Sequence, residues 1–342
     1  MPLSEPLSGV RPRIHRSLQL ALFGASISWV VAANLIAGRA ARGLAVHFRL
    51  SDEFLLLDAV FLVFLLVIGF VVLQGIAERN VPLRRTLGLP RRTTSRTEWA
   101  TGAAIGWGAV LVAILPMALS GALHVRFWIE GRSFWLAGLN LVTVALFALA
   151  LEISFRGYPY QRLIDAIGTG WATVVMSLIF GLALTYNLES TYLSTLIAIF
   201  FAAVLCAAWL RTHGLWLGWG LHFAWVATVG ILFGLPVTGI DNLASIVETR
   251  AIGARWLTGG ELGPEGSLIT LLLMIVSIFV VVGVSSDWAW DYTRKELIPA
   301  GYPMDVPPPA AHDEMEKKAA AAPALVQILP TTSQTRSVER EG

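Results

Sequence analysis

Residues Ala150–Leu163 read "ALEISFRGYPYQRL". An acid, Glu152, and a base, Arg156, stand four residues apart where a long apolar run ends. Four residues is one helical turn, and acid before base is the favourable order for such a pair. If the run crosses a bilayer, both charges sit where ionised groups are costly and usually functional. The reading of the chain therefore turns on whether this run is a membrane span.

Composition answers that it is. The chain has 342 residues, 56% hydrophobic and 14% charged, where a soluble domain has about 45–50% apolar and about 25% charged residues. Crossing a bilayer takes roughly 20 apolar residues in a helix, and about eight runs approach that length. They lie near Leu18–Gly38, Phe54–Ala77, Trp99–Leu123, Phe134–Phe155, Trp171–Asn187, Tyr192–Leu210, Leu215–Leu235 and Ser267–Val284. Lipid offers no hydrogen-bond partner to a bare backbone, so each must be helical or part of a closed barrel. The runs lack the alternation of barrel strands. The expected fold class is all-α, a polytopic integral membrane bundle of about eight transmembrane helices. The first run has a long polar lead with Arg11, Arg13 and Arg16, and exceeds the roughly 7–15 apolar residues of a cleaved signal, so a retained helix is expected.

Basic residues set the expected orientation. The loop at 78–98 carries Arg79, Arg84, Arg85, Arg91, Arg92 and Arg96 and should be cytoplasmic. With an even number of spans, both termini are then cytoplasmic too. Arg39, Arg42 and Arg49 fall on the other side and run against the rule. The domain reading is a cytoplasmic segment 1–16, helices over 17–133, a core over 134–286, and a tail over 287–342. The tail is rich in proline, alanine and charge, and is expected to be largely disordered, with Asp313–Ala322 at most a short helix. A net charge of +2 gives no reason to expect nucleic acid. The single cysteine, Cys206, lies inside a span and excludes a disulfide within the chain.

Chemistry in such a bundle must use the few polar groups inside the spans: Glu152, Arg156 and His222. The first two fit a structural ion pair, and His222 among aromatics and glycines fits a hydrogen-bonded packing residue. The histidines are His15, His47, His124, His213, His222 and His312. Only His213 and His222 lie in or beside a span, short of the three or four convergent ligands a metal needs. No metal and no cofactor is expected. Tyr186, Asn187 and His213 are further polar residues near the same runs. The helix carrying Glu152 is expected to continue through Arg162.

"LEISFRGYPYQRL" resembles the first motif, Glu-Glu-x-x-x-Arg, of the CAAX-protease and bacteriocin-processing (CPBP) family of intramembrane proteases, CAAX prenyl protease 2-like. "SLIFGLALTYN" resembles the second motif, Phe followed four residues later by His. "RTHGLWLGWGLHFAWV" resembles the third, His followed four residues later by Asn. "WLTGGELGPEGSLI" at Trp256–Ile269 is similar to a segment before the last helix of bacterial members. The motifs occur in family order. The resemblance implies a water activated by the first Glu and the second-motif His, with the third-motif His and Asn serving substrate and oxyanion. In this chain those positions depart from the pattern. The first Glu is replaced by Leu151, the second-motif His by Leu184 and the third-motif Asn by Val226, while Glu152, Arg156 and His222 remain.

Three functions follow as expectations. The first is a degenerate, catalytically impaired family member that binds a membrane protein or peptide in an intramembrane groove. The second is an active endopeptidase with a rewired site, Glu152 and His222 as catalytic pair, acting on prenylated or membrane peptides. The third is a small-molecule or lipid transporter, against which stands the lack of an internal repeat. The expected location is a bacterial plasma membrane, with the lipid bilayer as constant partner. The sequence leaves the oligomeric state open.

Overall fold

The computed structural model describes residues 15–77, 82–186, 190–238, 240, 243–293 and 310–321. Arg11, Arg13, Arg79, Asn187 and most of the tail lie outside them. The elements are α1 (Arg16–Phe48), α2 (Phe54–Ala77), a turn of helix α3 (Leu83–Thr86), α4 (Ser95–Leu119), β1 (Leu123–Phe127), α5 (Gly131–Arg156), α6 (Tyr158–Ile167), α7 (Thr169–Thr185), α8 (Tyr192–Thr212) and α9 (Trp216–Ala227). A π-helical turn, Thr228–Leu232, continues α9. There follow β2 (Val247–Ala251), the turn α10 (Arg255–Thr258), a 3-10 segment Gly260–Gly266, α11 (Leu268–Val284) and α12 (Ser286–Thr293). A second unit, Arg294–Gly342, contributes α13 (Ala310–Ala321). The chain is a helical membrane bundle. Six of its helical stretches are long and apolar enough to cross a membrane, and Thr169–Thr185 and Trp216–Leu232 are shorter apolar helices.

Helices in lipid gain little from hydrophobic burial against each other and rely on close packing through small residues. The bundle does this pair by pair. On α1, Ala33, Ala37, Ala41 and Ala45 recur every four residues, and all four are buried. The buried residues of α2 include Leu62, Leu66 and Phe70, and Phe70 stacks on Tyr158 of α6 at 5.6 Å. Gly69 of α2 lacks the Cβ that would strike the Trp29 indole, so Trp29 Nε1 reaches and donates to Leu65 O at 3.0 Å.

The tightest junction is α4 against α9. A Cβ on Gly102 would lie 2.0 Å from Leu217 O, and one on Gly106 would lie 2.4 Å from Leu221 O. From the other helix, a Cβ on Gly220 would lie 2.0 Å from Trp99 O. The two main chains therefore touch, a spacing only glycine permits.

The strands β1 and β2 pair antiparallel, Val125 opposite Thr249, as a two-stranded ribbon. Arg132 at the start of α5 pairs with Asp52 in the α1–α2 turn at 2.9 Å. That pair places the start of α5 and the α1–α2 turn at one end of the bundle. The arginine loop marks the other end, where Leu215 N donates to Gly88 O and Trp216 Nε1 to Pro90 O.

Two expectations need correction. The helix carrying Glu152 does not run on through Arg162. It stops at Arg156, and Gly157 (ψ −122°) separates it from α6. Pro159 has no N–H to return to Phe155 and is comfortable only in the first turn of a new helix. A Cβ at Gly157 would lie 2.5 Å from Ile153 O, so glycine is needed at the break. The first residues of the expected tail are also ordered as a helix. Residues up to Thr293 form α12, held to α4 because Tyr292 donates to Glu98 Oε1 at 2.7 Å.

Candidate functional site

The last turn of α5, the middle of α9 and facing parts of α7 and α8 bring together the polar residues of the spans. Glu152 and Arg156 are one turn apart on α5, and Arg156 Nη1 donates to Glu152 Oε1 at 3.1 Å. His222 of α9 reaches the same oxygen through Nδ1 at 2.9 Å. All three are buried, with Arg156 at 0% exposure. A single carboxylate oxygen thus holds both a guanidinium and an imidazole.

Aromatic rings close the cluster. The Arg156 guanidinium carbon lies 4.4 Å from the centre of the Phe180 ring. Phe155 meets Phe180 edge-on at 5.0 Å, and Phe201 meets His222 edge-on at 5.2 Å. Stacking on an aromatic face suits a guanidinium taken out of water. The Cys206 thiol stands beside Arg156, Ser177 and Tyr160. Among the described residues Arg156 Nε and Nη2 and Ser177 Oγ find no nitrogen or oxygen hydrogen-bond partner. Room for the carboxylate comes from Gly218, one turn before His222. A Cβ there would come within 3.0 Å of Glu152 Oε2.

The replaced positions border this cluster. Leu184 and Val226 each stand one turn, about 6 Å of rise, beyond Phe180 and His222 along their helices. Leu151 and Leu184 are partly buried against the apolar core, and Val226 is buried. Their side chains supply neither proton acceptor nor hydrogen-bond donor. Tyr186 lies 85% exposed at the end of α7. His213 caps α8 in a left-handed conformation (φ 46°) at the arginine-loop end. No described bond joins either to Glu152 or His222. Among the described residues no group of three or more His, Cys, Asp or Glu is placed to hold a metal ion.

Two polar contacts escape a reading of the sequence. Glu98 of α4 is fully buried and accepts from Thr94 Oγ1 at 2.9 Å and from Tyr292 OH, with Arg92 Nη1 at 3.7 Å. The Arg92 guanidinium also lies over the Tyr292 ring and donates to Thr212 O. The only signal is an acid in the first turn of a helix that follows an arginine-rich loop. Glu265, in the segment before α11, accepts from Trp225 Nε1 at 2.8 Å and from Thr238 N at 2.7 Å. It ties that segment to α9 one turn past His222.

Fold and site together define a helical membrane protein with a buried carboxylate–imidazole–guanidinium cluster. Residues 132–228 match the family described as "Type II CAAX prenyl endopeptidase Rce1-like". This span contains α5 to α9 and all three motif regions, so the resemblance read from the motifs holds for the core of the chain. No curated protein and no solved structure matches the chain.

Proposed function

We propose that this chain is a CAAX-protease-like membrane protein that no longer cleaves peptides and instead binds a membrane protein or peptide through its retained core. One observation carries the reading. The surviving carboxylate is engaged by Arg156 and His222, while the positions that should supply base, second histidine and asparagine are Leu151, Leu184 and Val226. A general base must accept a proton and reach the attacking water, and leucine does neither. Without a donor where Val226 stands, a developing oxyanion loses roughly 3–4 kcal/mol of stabilisation. Refilling a polar site with apolar side chains also avoids the cost of burying unpaired polar groups. In this reading Glu152 ties α5 to α9 through His222 while Arg156 balances its charge, and the protein needs no cofactor. The protein, in this reading, lies in a bacterial plasma membrane, and the arginine loop favours the cytoplasmic side for its own end of the bundle and for both termini.

A second reading rests on the 2.9 Å contact between Glu152 and His222. A carboxylate that orients an imidazole leaves the other ring nitrogen free to act as base. The chain would then be an endopeptidase with a rewired pair, acting on prenylated or membrane peptides. The test is cleavage of farnesylated CAAX peptides and of a transmembrane peptide library by the purified, reconstituted protein. The expected result is no cleavage, together with crosslinking of a bound polypeptide to the core in native membranes. Cleavage that His222→Ala or Glu152→Ala abolishes would overturn the non-catalytic reading and establish the second.

A further inference from the structure

Arg39, Arg42 and Arg49 stand at the end of the bundle opposite the arginine loop, separated from it by the length of α2. Insertion rules favour arginines at one end of a span only, so a second cluster calls for its own account. Arg42, Ala45, Val46 and Arg49 follow the spacing i, i+3, i+4, i+7, which puts them on one face of α1 and its cap. With Ser51 and Phe54 they line a shallow cleft of about 460 Å³. The face reads arginine, apolar, apolar, arginine.

Arg49 completes that face through an unusual backbone. It closes α1 in the left-handed region (φ 58°), with its N–H on Ala45 O. This conformation is unfavourable for a residue with a Cβ, and glycine or asparagine is the usual occupant of such a cap. Both Arg42 and Arg49 are exposed, and among the described residues neither is in an ion pair. Of the nearby acids, Asp52 is held by Arg132, and Glu53, in the same turn, is in no ion pair with Arg42 or Arg49. Asp58 feels the charge of Arg42 without pairing with it.

We propose that this cleft binds a phosphate carried on an apolar chain, the headgroup of an anionic phospholipid, with Arg42 and Arg49 as its ligands. Guanidinium forks match phosphate oxygens in charge and geometry. Val46, 75% exposed, and Phe54 offer an apolar wall for the glycerol and first methylenes. The cleft lies at the end of two spans, where a bilayer presents headgroups. A free phosphate compound shares the recognising chemistry but has no use for the wall.

The test measures melting of the purified full chain in detergent after addition of phosphatidylglycerol, phosphatidylcholine or glycerol 3-phosphate. The chain is compared with the double variant Arg42→Gln/Arg49→Gln and with Arg39→Gln, a change of charge outside the cleft lining. Phosphatidylglycerol should raise the melting temperature more than phosphatidylcholine. The double variant should lose that difference and Arg39→Gln should keep it. Native mass spectrometry should show retained phosphatidylglycerol that the double variant releases. An equal response of the double variant, or no preference for the anionic lipid, overturns the site. An arginine-dependent shift with glycerol 3-phosphate as large as with the lipid overturns the lipid as its source.

Discussion

Replacing Glu152 by alanine removes the acceptor of two hydrogen bonds, Arg156 Nη1 at 3.1 Å and His222 Nδ1 at 2.9 Å. Arg156 is fully buried and cannot turn to water. Each charge-assisted bond contributes about 1.5–3 kcal/mol, and stripping a buried charge of its partner costs about 3–5 kcal/mol in all. The Phe180 ring contacts the guanidinium before and after the change, so it does not alter the difference. Arg156→Ala should cost less than Glu152→Ala, because His222 remains to satisfy the carboxylate. The double change Glu152→Leu/Arg156→Met removes both charges and fills the space, and should lie within about 1 kcal/mol of the parent or above it. The assay is the folded fraction after heating in one detergent, read by size exclusion. At about 2 °C per kcal/mol for a chain this long, Glu152→Ala should melt roughly 6–10 °C lower. If Glu152→Ala and Arg156→Ala melt with the parent, or the double variant is as weak as the weaker single, the pair does not hold the core and the reasoning fails.

Gly218→Ala should press on Glu152 Oε2 from 3.0 Å and lower the melting point by the equivalent of about 1–3 kcal/mol. Gly220→Ala sets a Cβ against the Trp99 carbonyl, where only main chain can yield; its loss should reach or exceed the top of that range, and Gly108→Ala, with open space around it, should be neutral or slightly stabilising in the same assay. Tyr292→Phe takes a donor from buried Glu98, whose Oε2 already lacks a described partner. It should cost about 1–3 kcal/mol and speed limited proteolysis at α12. His213 titrates below its ordinary value of 6.5 because burial, and then Arg92, disfavour its charged form. On acidification the unfolded chain takes that proton first, so this group costs nothing above pH 6.5 and destabilises the fold as pH falls below it. Melting curves from about pH 7.5 to pH 5 should therefore fall less steeply for His213→Asn than for the parent.

What the sequence discloses depends on how far apart the interacting residues lie. Six spans are legible because lipid imposes a length and a polarity on a crossing, and their apolar runs show both. The Glu152–Arg156 bond is legible because both residues sit on one helix turn. His222 meets Glu152 from 70 positions away, and spacing alone cannot bring them together; only the motif order points there. Tyr292 and Glu98 are 194 positions apart and belong to no motif, so nothing in either segment announces the contact. The break at Gly157 is hidden for another reason. A glycine and a proline near a helix end are compatible with a kinked continuation as well as with a new start. Packing of α6 on its neighbours decides between them.

The main-chain contact between α4 and α9 bears on how this core can vary. Leu217, Gly220, Leu221 and Ala224 face α4, whereas Gly218, His222 and Val226 lie at four-residue spacing on another side of the helix. The place of α9 is therefore anchored by carbonyls and glycines that carry no reactive group. Side chains on the second side can change from polar to apolar while the helix keeps its seat. The seat of the helix and its polar contact with Glu152 thus rest on different residues of one short element.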